Sequence, residues 1–483
     1  MKRLIGSLTL ALSVSTAVMA ATAAPTPWEP GKTVVNNGDV VLFNGLCYEA
    51  QNSPGAWDSP GTSTWFWAEV PCDGTTPPKP PVDPVDPPKP DPGGKTVIRD
   101  GNGGYLMPRS ELAARETALT STPLFDLVRA DIQTLDNASV EAVLPLRSAN
   151  PVNVQRVESI VDEAMWDFLF PIRNEKYTYV NFLKGIAKFP AFCRTYIDGR
   201  NSDEICKRSL ATMFAHFVQE TGAHAPGWDG AKGNPEWRQG LYFLRERYKS
   251  EDVYNGTYNA CTGWQGERWP CAPQKSYFGR GAKQLSWNYN YGPFSEAMFG
   301  DKSVLLNDPA LVADTWLNLA SAVFFYVYPQ PPKPSMLHVI DGTWQPNAAD
   351  KAQGIEHGFG STIQIINGAY ECGKGTTTPQ AANRIKYYKQ ITATLGLDIT
   401  GEKLDCADMK AFNTDGAGAM MIYWDKEWGW DANTPDNHSF ECKLVGYQTA
   451  YSAWFQGDYE NCVEKHFNVR ATDANGQVIP DGQ

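Results

Sequence analysis

Residues 73 to 96 read "DGTTPPKPPVDPVDPPKPDPGGKT", and no compact domain can be built through such a run. Proline fixes φ and has no N–H to donate, so the stretch favours an extended polyproline conformation and acts as a semi-rigid spacer. It divides the chain into a small module, residues 25 to 72, and a large C-terminal body that begins near Val97. At 483 residues the chain is long enough for both.

Residues 1 to 24 stand apart. Lys2 and Arg3 precede an apolar run from Leu4 to Met19, and "AATAAP" follows. This layout predicts a secretory signal peptide cleaved after Ala20 or Ala23. The run is short and diluted by Ser and Thr, which argues against a membrane anchor. The expected location is extracellular, with the periplasm as a transit compartment, and no membrane association follows removal of the leader. The formal charge is -12, and losing a leader with two cations and no acid leaves -14. That sign disfavours nucleic acid as a partner and suits a neutral substrate.

Ten cysteines in an exported chain read as disulfides. They fall as neighbours: Cys47 and Cys72, Cys193 and Cys206, Cys261 and Cys271, Cys372 and Cys406, Cys442 and Cys462. Spacing alone leaves the pairing open. No CxxC or His-x3-His spacing suggests a metal, and no cofactor is expected.

The module is dense in aromatics: Trp28, Phe43, Tyr48, Trp57, Trp65, Phe66 and Trp67. "NNGDVVLFNGLCYEA" alternates turn residues with β-rich runs and predicts a small all-β sheet. Exposed rings on such a sheet stack on sugar faces, whereas buried ones form its core. The two roles are not separable for any single ring. Trp28, "NGDVVLFNGLCYEA" and "WFWAEV" resemble the small chitin- and cellulose-binding domains of bacterial polysaccharidases. That resemblance implies chitin contacts from Tyr48, Trp57, Trp65 and Trp67. Where such domains usually carry a tryptophan pair, "QNSPGAW" holds Trp57 alone.

In the large body, residues 97 to 154 are mixed, with helical stretches "ELAARETAL" and "PLFDLVRADIQTL". They read as an N-terminal extension. From residue 155 helices dominate: "QRVESIVDEAMWDFLF", "YVNFLKGIAKF", "RSLATMFAHFVQ" and "PALVADTWLNLASAVFFYVY" carry apolar residues three and four apart. Loops rich in Gly, Pro, Trp and Asn separate them, the usual material of binding clefts. Residues 401 to 483, with Trp424, Trp428, Trp430, Tyr451 and Trp454, read as a C-terminal extension packed on the body, with a cleft wall as the rival assignment.

Two carboxylates stand out. Leu210, Met213, Phe214, Phe217, Val218 and Thr221 share one helical face, and Glu220 falls at its edge. Desolvation there would raise its pKa, as a general acid requires, although a surface glutamate at a helix end is the simpler alternative. Glu246 lies between Arg245 and Arg247, whose charges would keep it ionised unless the cluster is simply solvated. One protonated and one ionised carboxylate fit glycoside hydrolysis. The loop from residue 269 to 294 crowds Tyr277, Gln284, Ser286, Trp287, Asn288, Tyr289, Asn290 and Tyr291, groups that bond sugar hydroxyls and stack on pyranose rings.

Residues 155 to 400 closely resemble family 19 chitinases. The matching stretches run in order through "YTYVNFLKGIAKFPAF", "FVQETG", "GLYFLRERY", "WPCAP", "YFGRGAKQLSWNYNYGP", "QPPKPS", "GFGSTIQIINGAYECGKG" and "NRIKYYKQ". The resemblance implies a mainly α-helical, two-lobed, lysozyme-like catalytic domain with long loops around a cleft. It implies an inverting endochitinase with Glu220 as general acid, Glu246 as general base and Ser286 holding the attacking water. Gln284, Tyr289, Asn290, Lys333, Asn367 and Arg384 match cleft positions, and Trp269 and Tyr277 are assigned to the substrate with them. Cys261–Cys271 and Cys372–Cys406 match family disulfides. An inverting site leaves roughly 6.5–9.5 Å between its carboxyls for water. The chain departs from the family in Gln219, where His is common before the acid, and in "TGAHAPGW" after it; His224 and Trp228 are therefore given no role. A monomer acting on chitin and chitooligosaccharides is expected. A peptidoglycan hydrolase and an inactive chitin-binding lectin are the alternatives, and retention of both glutamates argues against the lectin.

Overall fold

The computed structural model describes residues 25–29, 32–51, 54, 59–60, 67–72, 95–225, 227–254 and 256–480. The leader, nearly all of the proline-rich spacer, and Trp57 and Trp65 lie outside these residues. The chain forms two compact units, residues 1–91 and 92–483.

In the first unit, strands Thr26–Pro27, Val40–Phe43, Leu46–Ala50 and Trp67–Val70 form a sheet in that order. Val40–Phe43 and Leu46–Ala50 make an antiparallel hairpin in which Phe43 faces Leu46. Asn44 and Gly45 turn it, both at positive φ, as a two-residue hairpin turn demands. A disulfide joins Cys47 to Cys72. The core is Trp28, Val41, Ala50 and Trp67, with the two indoles edge to face at 4.9 Å. Trp67, expected at the sugar surface, is instead core: so small a sheet has few other side chains large enough to fill its interior. Tyr48 is half-buried against the same core.

The second unit is mainly helical and holds two hydrophobic cores. The larger gathers residues 140 to 412. Helix Ser202–Thr221 starts where Asn201 accepts the N–H groups of Asp203 and Glu204, with those two acids in the first turn. Helix Pro379–Thr394, with Thr378 as cap and proline at its start, packs along it. Helix Tyr179–Lys188 packs on Leu317–Val327, and Gly185 permits the approach, since a Cβ there would lie 3.0 Å from the Ala320 nitrogen. Two expected helices are each divided. Asp162 caps Met165 and starts Glu163–Leu169 anew after Val152–Ile160. The extended backbone at Thr315 separates Leu311–Asp314 from Leu317–Val327. Disulfides Cys193–Cys206, Cys261–Cys271 and Cys372–Cys406 all lie in this part.

The second core brings the two ends of the body together. It is built from residues 97 to 132 and 420 to 471. Strand Val469–Thr472 pairs in parallel with Tyr105–Pro108. Tyr423–Lys426 is flanked by Cys442–Val445 and Tyr451–Ser452, and Cys442–Cys462 ties this sheet to helix Asp458–Phe467. Arg109–Glu460, Arg115–Glu441 and Arg470–Asp100 ion pairs cross between the two segments. The stretches that flank the helical body in sequence therefore fold as one subdomain. The segment read as the N-terminal extension divides, because its Val140, Val143 and Val154 join the larger core. Among the described residues no helix is long and apolar enough to cross a membrane.

Candidate active site

Glu220 sits on the last turn of Ser202–Thr221, its side chain 21% exposed. Its Oε1 accepts a hydrogen bond from Arg384 Nη2. The same guanidinium donates to both oxygens of Glu371, each at 2.9 Å. Asn367 Nδ2 also donates to Glu371 Oε1, at 2.8 Å, from a position where the helix Phe359–Glu371 departs from helical geometry. Arg384 Nη1 lies 3.1 Å from His216 Nδ1, and His216 Nε2 lies 3.1 Å from the Thr362 hydroxyl. Burial first, and then the Arg384 charge, push the His216 imidazole well below its ordinary pKa. The ring is neutral, and its partners assign Nδ1 as acceptor and Nε2–H as donor.

This network corrects the expected protonation of Glu220. Burial pushes its carboxyl up, but the charges of Arg384 and Lys283 and the Arg384 hydrogen bond outweigh it and leave the pKa below the ordinary value. Only the apolar neighbours on its own helix were visible from periodicity.

Beyond the helix, the chain turns back on it. The Leu241 N–H donates to Thr221 Oγ1 at 2.8 Å and the Phe243 N–H to the Thr221 carbonyl at 2.9 Å. The next residues pair with the glycine loop: the Glu246 N–H donates to the Gly279 carbonyl at 2.8 Å and the Gly281 N–H to the Leu244 carbonyl at 2.9 Å. Gly281 is required there. Its φ is +73°, and a Cβ would meet the Asn318 carbonyl oxygen at 2.6 Å.

Glu246 Oε1 accepts from the Tyr258 hydroxyl and Oε2 from the Gly279 N–H, both at 3.1 Å. The flanking arginines, expected to hold it, are engaged elsewhere. Arg245 pairs with Glu251 at 2.7 Å and Asp314 at 2.6 Å. Arg247 lies over the rings of Phe243 and Tyr248. The chain turns at Arg247 and Tyr248, the Lys249 N–H donating to the Glu246 carbonyl, so adjacency in sequence does not bring these charges to the carboxylate.

A cavity of about 610 Å³ has Lys283 and Asn367 in its lining, while Glu220 and Glu246 lie outside that lining. Gln284, Ser286, Tyr289, Asn290, Lys333, Asn367 and Trp269 line it. Gln284 and Trp287 hold positive φ of 55° and 76° in this loop. Such backbone costs about 1–3 kcal/mol per residue and persists only where surroundings fix it. Here the Trp287 N–H donates to the Tyr277 carbonyl at 2.8 Å, and Asn290 Nδ2 to the Ser286 carbonyl at 2.8 Å. The Ser286 hydroxyl donates to the Gln284 carbonyl at 3.0 Å. Trp287 stacks on Tyr289 at 5.5 Å and meets Tyr258 edge-on at 5.3 Å, so an aromatic row leads from the cavity to Glu246.

Two expected substrate contacts lie outside the cavity lining. Tyr277 is fully buried, donating to the Leu306 carbonyl and accepting the Ala272 N–H; its loop crosses the core before it reaches the cavity. Arg384 is likewise buried, its guanidinium committed to carboxylates. Trp269 is only 4% exposed. Lys333 donates to the Ile365 carbonyl at 3.0 Å, and burial pulls its ammonium below the ordinary pKa. Sequence reasoning missed Lys283, Glu371 and Tyr258. Glu371 could have been suspected, since it lies one helical turn beyond Asn367. Among the described residues no cluster of His, Cys, Asp and Glu could hold a metal ion.

The sequence model of the family described as chitinase class I matches residues 165–406. An endochitinase from Carica papaya is 39% identical over 264 residues, covering 53% of this chain and 99% of its own. Endochitinase B of Nicotiana tabacum is 38% identical over 263 residues, covering 53% of this chain and 74% of its own. A solved structure of a bacterial family 19 chitinase aligns at 27% identity over 51% of this chain and 100% of its own, with a TM-score of 0.38.

Proposed function

The chain belongs to the family 19 glycoside hydrolases, the class I chitinases, and from that premise we propose how its two carboxylates divide the chemistry. It is an endochitinase that hydrolyses the β-1,4 bonds between N-acetylglucosamine units of chitin. Glu220 gives its proton to the leaving glycosidic oxygen. Glu246 takes a proton from a water, and that water attacks the anomeric carbon from the opposite face, inverting it. Ser286, on the cavity wall, helps hold the water.

The observation that carries this reading is the unlike support of the two groups. Glu246 has its two oxygens aligned by uncharged donors, Tyr258 and the Gly279 N–H, as suits a base that must accept a proton. Glu220 is bound to an arginine shared with a second carboxylate. In the free protein Glu220 is charged. A bound sugar displaces the water around it and strengthens the burial that opposes its charge, so the protonated donor forms in the complex. Lys283 links the two regions, lining both the cavity and the pocket that holds Glu220.

The small N-terminal unit holds the enzyme on solid chitin, and the proline-rich spacer keeps the catalytic unit near that surface. Trp28 and Trp67 support its sheet, which leaves Tyr48 and the rings outside the described residues to meet the sugar. Five disulfides suit secretion to an oxidising compartment. The chain acts as a monomer, without nucleic acid or membrane as partner. The deciding experiment is anomer-resolved product analysis on chitin oligomers: the α-anomer should appear first, and initial release of the β-anomer would overturn the inverting assignment.

A further inference from the structure

The family match ends at residue 406, yet the cavity continues past it. Its other side is lined from residues 422 to 458, which include Tyr423, Gln448, Thr449 and Trp454. We propose that this segment is a second wall of the substrate cleft, and that Tyr423 and Gln448 hydrogen-bond an N-acetylglucosamine unit of the chitin chain lying beyond those held by the family-matched residues. The proposal rests on the chitinase reading above and adds a subsite to it.

Three observations carry it. First, these two side chains are polar and unengaged. Among the described residues neither the Tyr423 hydroxyl nor the Gln448 amide has a hydrogen-bond partner, although both line the cavity. Burial pushes the Tyr423 phenol up to about 12, so it remains a neutral group able both to donate and to accept. An amide and a phenol together match the hydroxyls and acetamido group of this sugar, and Trp454 adds apolar surface for a ring face.

Second, the strand that carries Tyr423 is paired along both edges. Tyr423 opens the central strand of its sheet, opposite both Val445 and Ser452. The Cys442–Cys462 disulfide fixes the neighbouring strand to helix Asp458–Phe467.

Third, the wall is fastened to the family-matched body at the cavity's edge. Arg268 Nη2 donates to Glu296 Oε1 and to Asp458 Oδ1, both at 3.1 Å, while the guanidinium lies over Trp269 at 4.6 Å. Phe455, on the wall, packs edge-on against the same indole. A binding group held in place before the ligand arrives loses little entropy on binding. The cavity volume of about 610 Å³ lies within the roughly 300–1,000 Å³ usual for ligand sites.

The test uses the full chain carrying Glu220→Gln, so that oligomers bind without being cut. Affinities for the hexamer and the trimer of N-acetylglucosamine are measured by calorimetry with and without Tyr423→Phe or Gln448→Ala. One hydrogen bond to an uncharged group corresponds to about a fivefold change in affinity. Each variant should therefore weaken the hexamer about fivefold and the trimer less. Tyr447→Phe, on an exposed ring outside the cavity, serves as control and should leave the hexamer at reference affinity. Unchanged hexamer affinity in the Tyr423/Gln448 double variant would overturn the subsite, as would an equal loss for both oligomers. Failure of the parent chain to cut chitin oligomers would instead count against the catalytic reading, while the ratio of affinities would still decide the wall.

Discussion

Glu220 and Arg384, 164 residues apart in the chain, are joined by a hydrogen-bonded ion pair. The arginine is almost wholly buried and divides itself between Glu220 and Glu371. Against burial, which raises the proton affinity of the residue assigned as general acid, this neighbour from another helix lowers it, together with Lys283.

Replacing Glu220 by Gln keeps volume and removes the transferable proton. Turnover on chitin oligomers should fall roughly 100- to 10,000-fold, while oligomer affinity stays near that of the parent. A variant retaining a tenth of parental turnover would dismiss Glu220 as proton donor.

The pH profile should carry the mark of Arg384. In the free enzyme the Glu220 carboxyl lies below its ordinary pKa, so the protonated donor is lost early as pH rises. In the complex, exclusion of water raises it. The alkaline limb of kcat/KM should therefore lie at lower pH than that of kcat. Glu371→Gln leaves Arg384 with Glu220 as its sole carboxylate partner and should move the kcat/KM limb further acid. A shift of one unit would lower activity about tenfold at a fixed pH on that limb. Limbs that coincide, or a shift to higher pH, would contradict this.

Glu246→Ala should cripple turnover, because the Tyr258 and Gly279 donors then have no carboxylate to orient. Azide, taking the place of the activated water, should restore part of the rate and yield the α-glycosyl azide. Mass spectrometry and proton NMR of the product would check both the adduct and its configuration.

The Cys442–Cys462 bond clamps the subdomain formed by the two ends of the body. Replacing both cysteines by Ala should cost about 3 kcal/mol in a urea titration, if the bond contributes as such loops usually do. Non-reducing peptide mapping should recover all five neighbouring pairs.

Deleting residues 25 to 72 should lower binding to crystalline chitin in a pull-down and spare hydrolysis of soluble oligomers. Equal retention of truncated and full-length chains on chitin would refute an anchoring role.

What the sequence determined by itself is local. The stripe from Leu210 to Thr221 is a buried helix face with Glu220 at its last turn, because side chains three and four apart share a face whatever surrounds them. The turn at Asn44–Gly45 was legible for the same reason: positive φ is a property of the residues themselves. The order of motifs from "FVQETG" to "NRIKYYKQ" was enough to recognise the family. The tertiary structure decided everything that depends on distance through space. Glu220 was expected to be protonated from its own helix, yet Lys283 and Arg384 reverse the sign. Arg245 and Arg247 adjoin Glu246 in the chain but turn away from it. Tyr277 and Trp67 look like sugar contacts in composition and are core in fact, since an aromatic ring suits either place. Residues 97–132 and 420–471 carry no local sign that they fold together. Coulomb energy and packing depend on separation in three dimensions, and periodicity reports only on contacts within a single element.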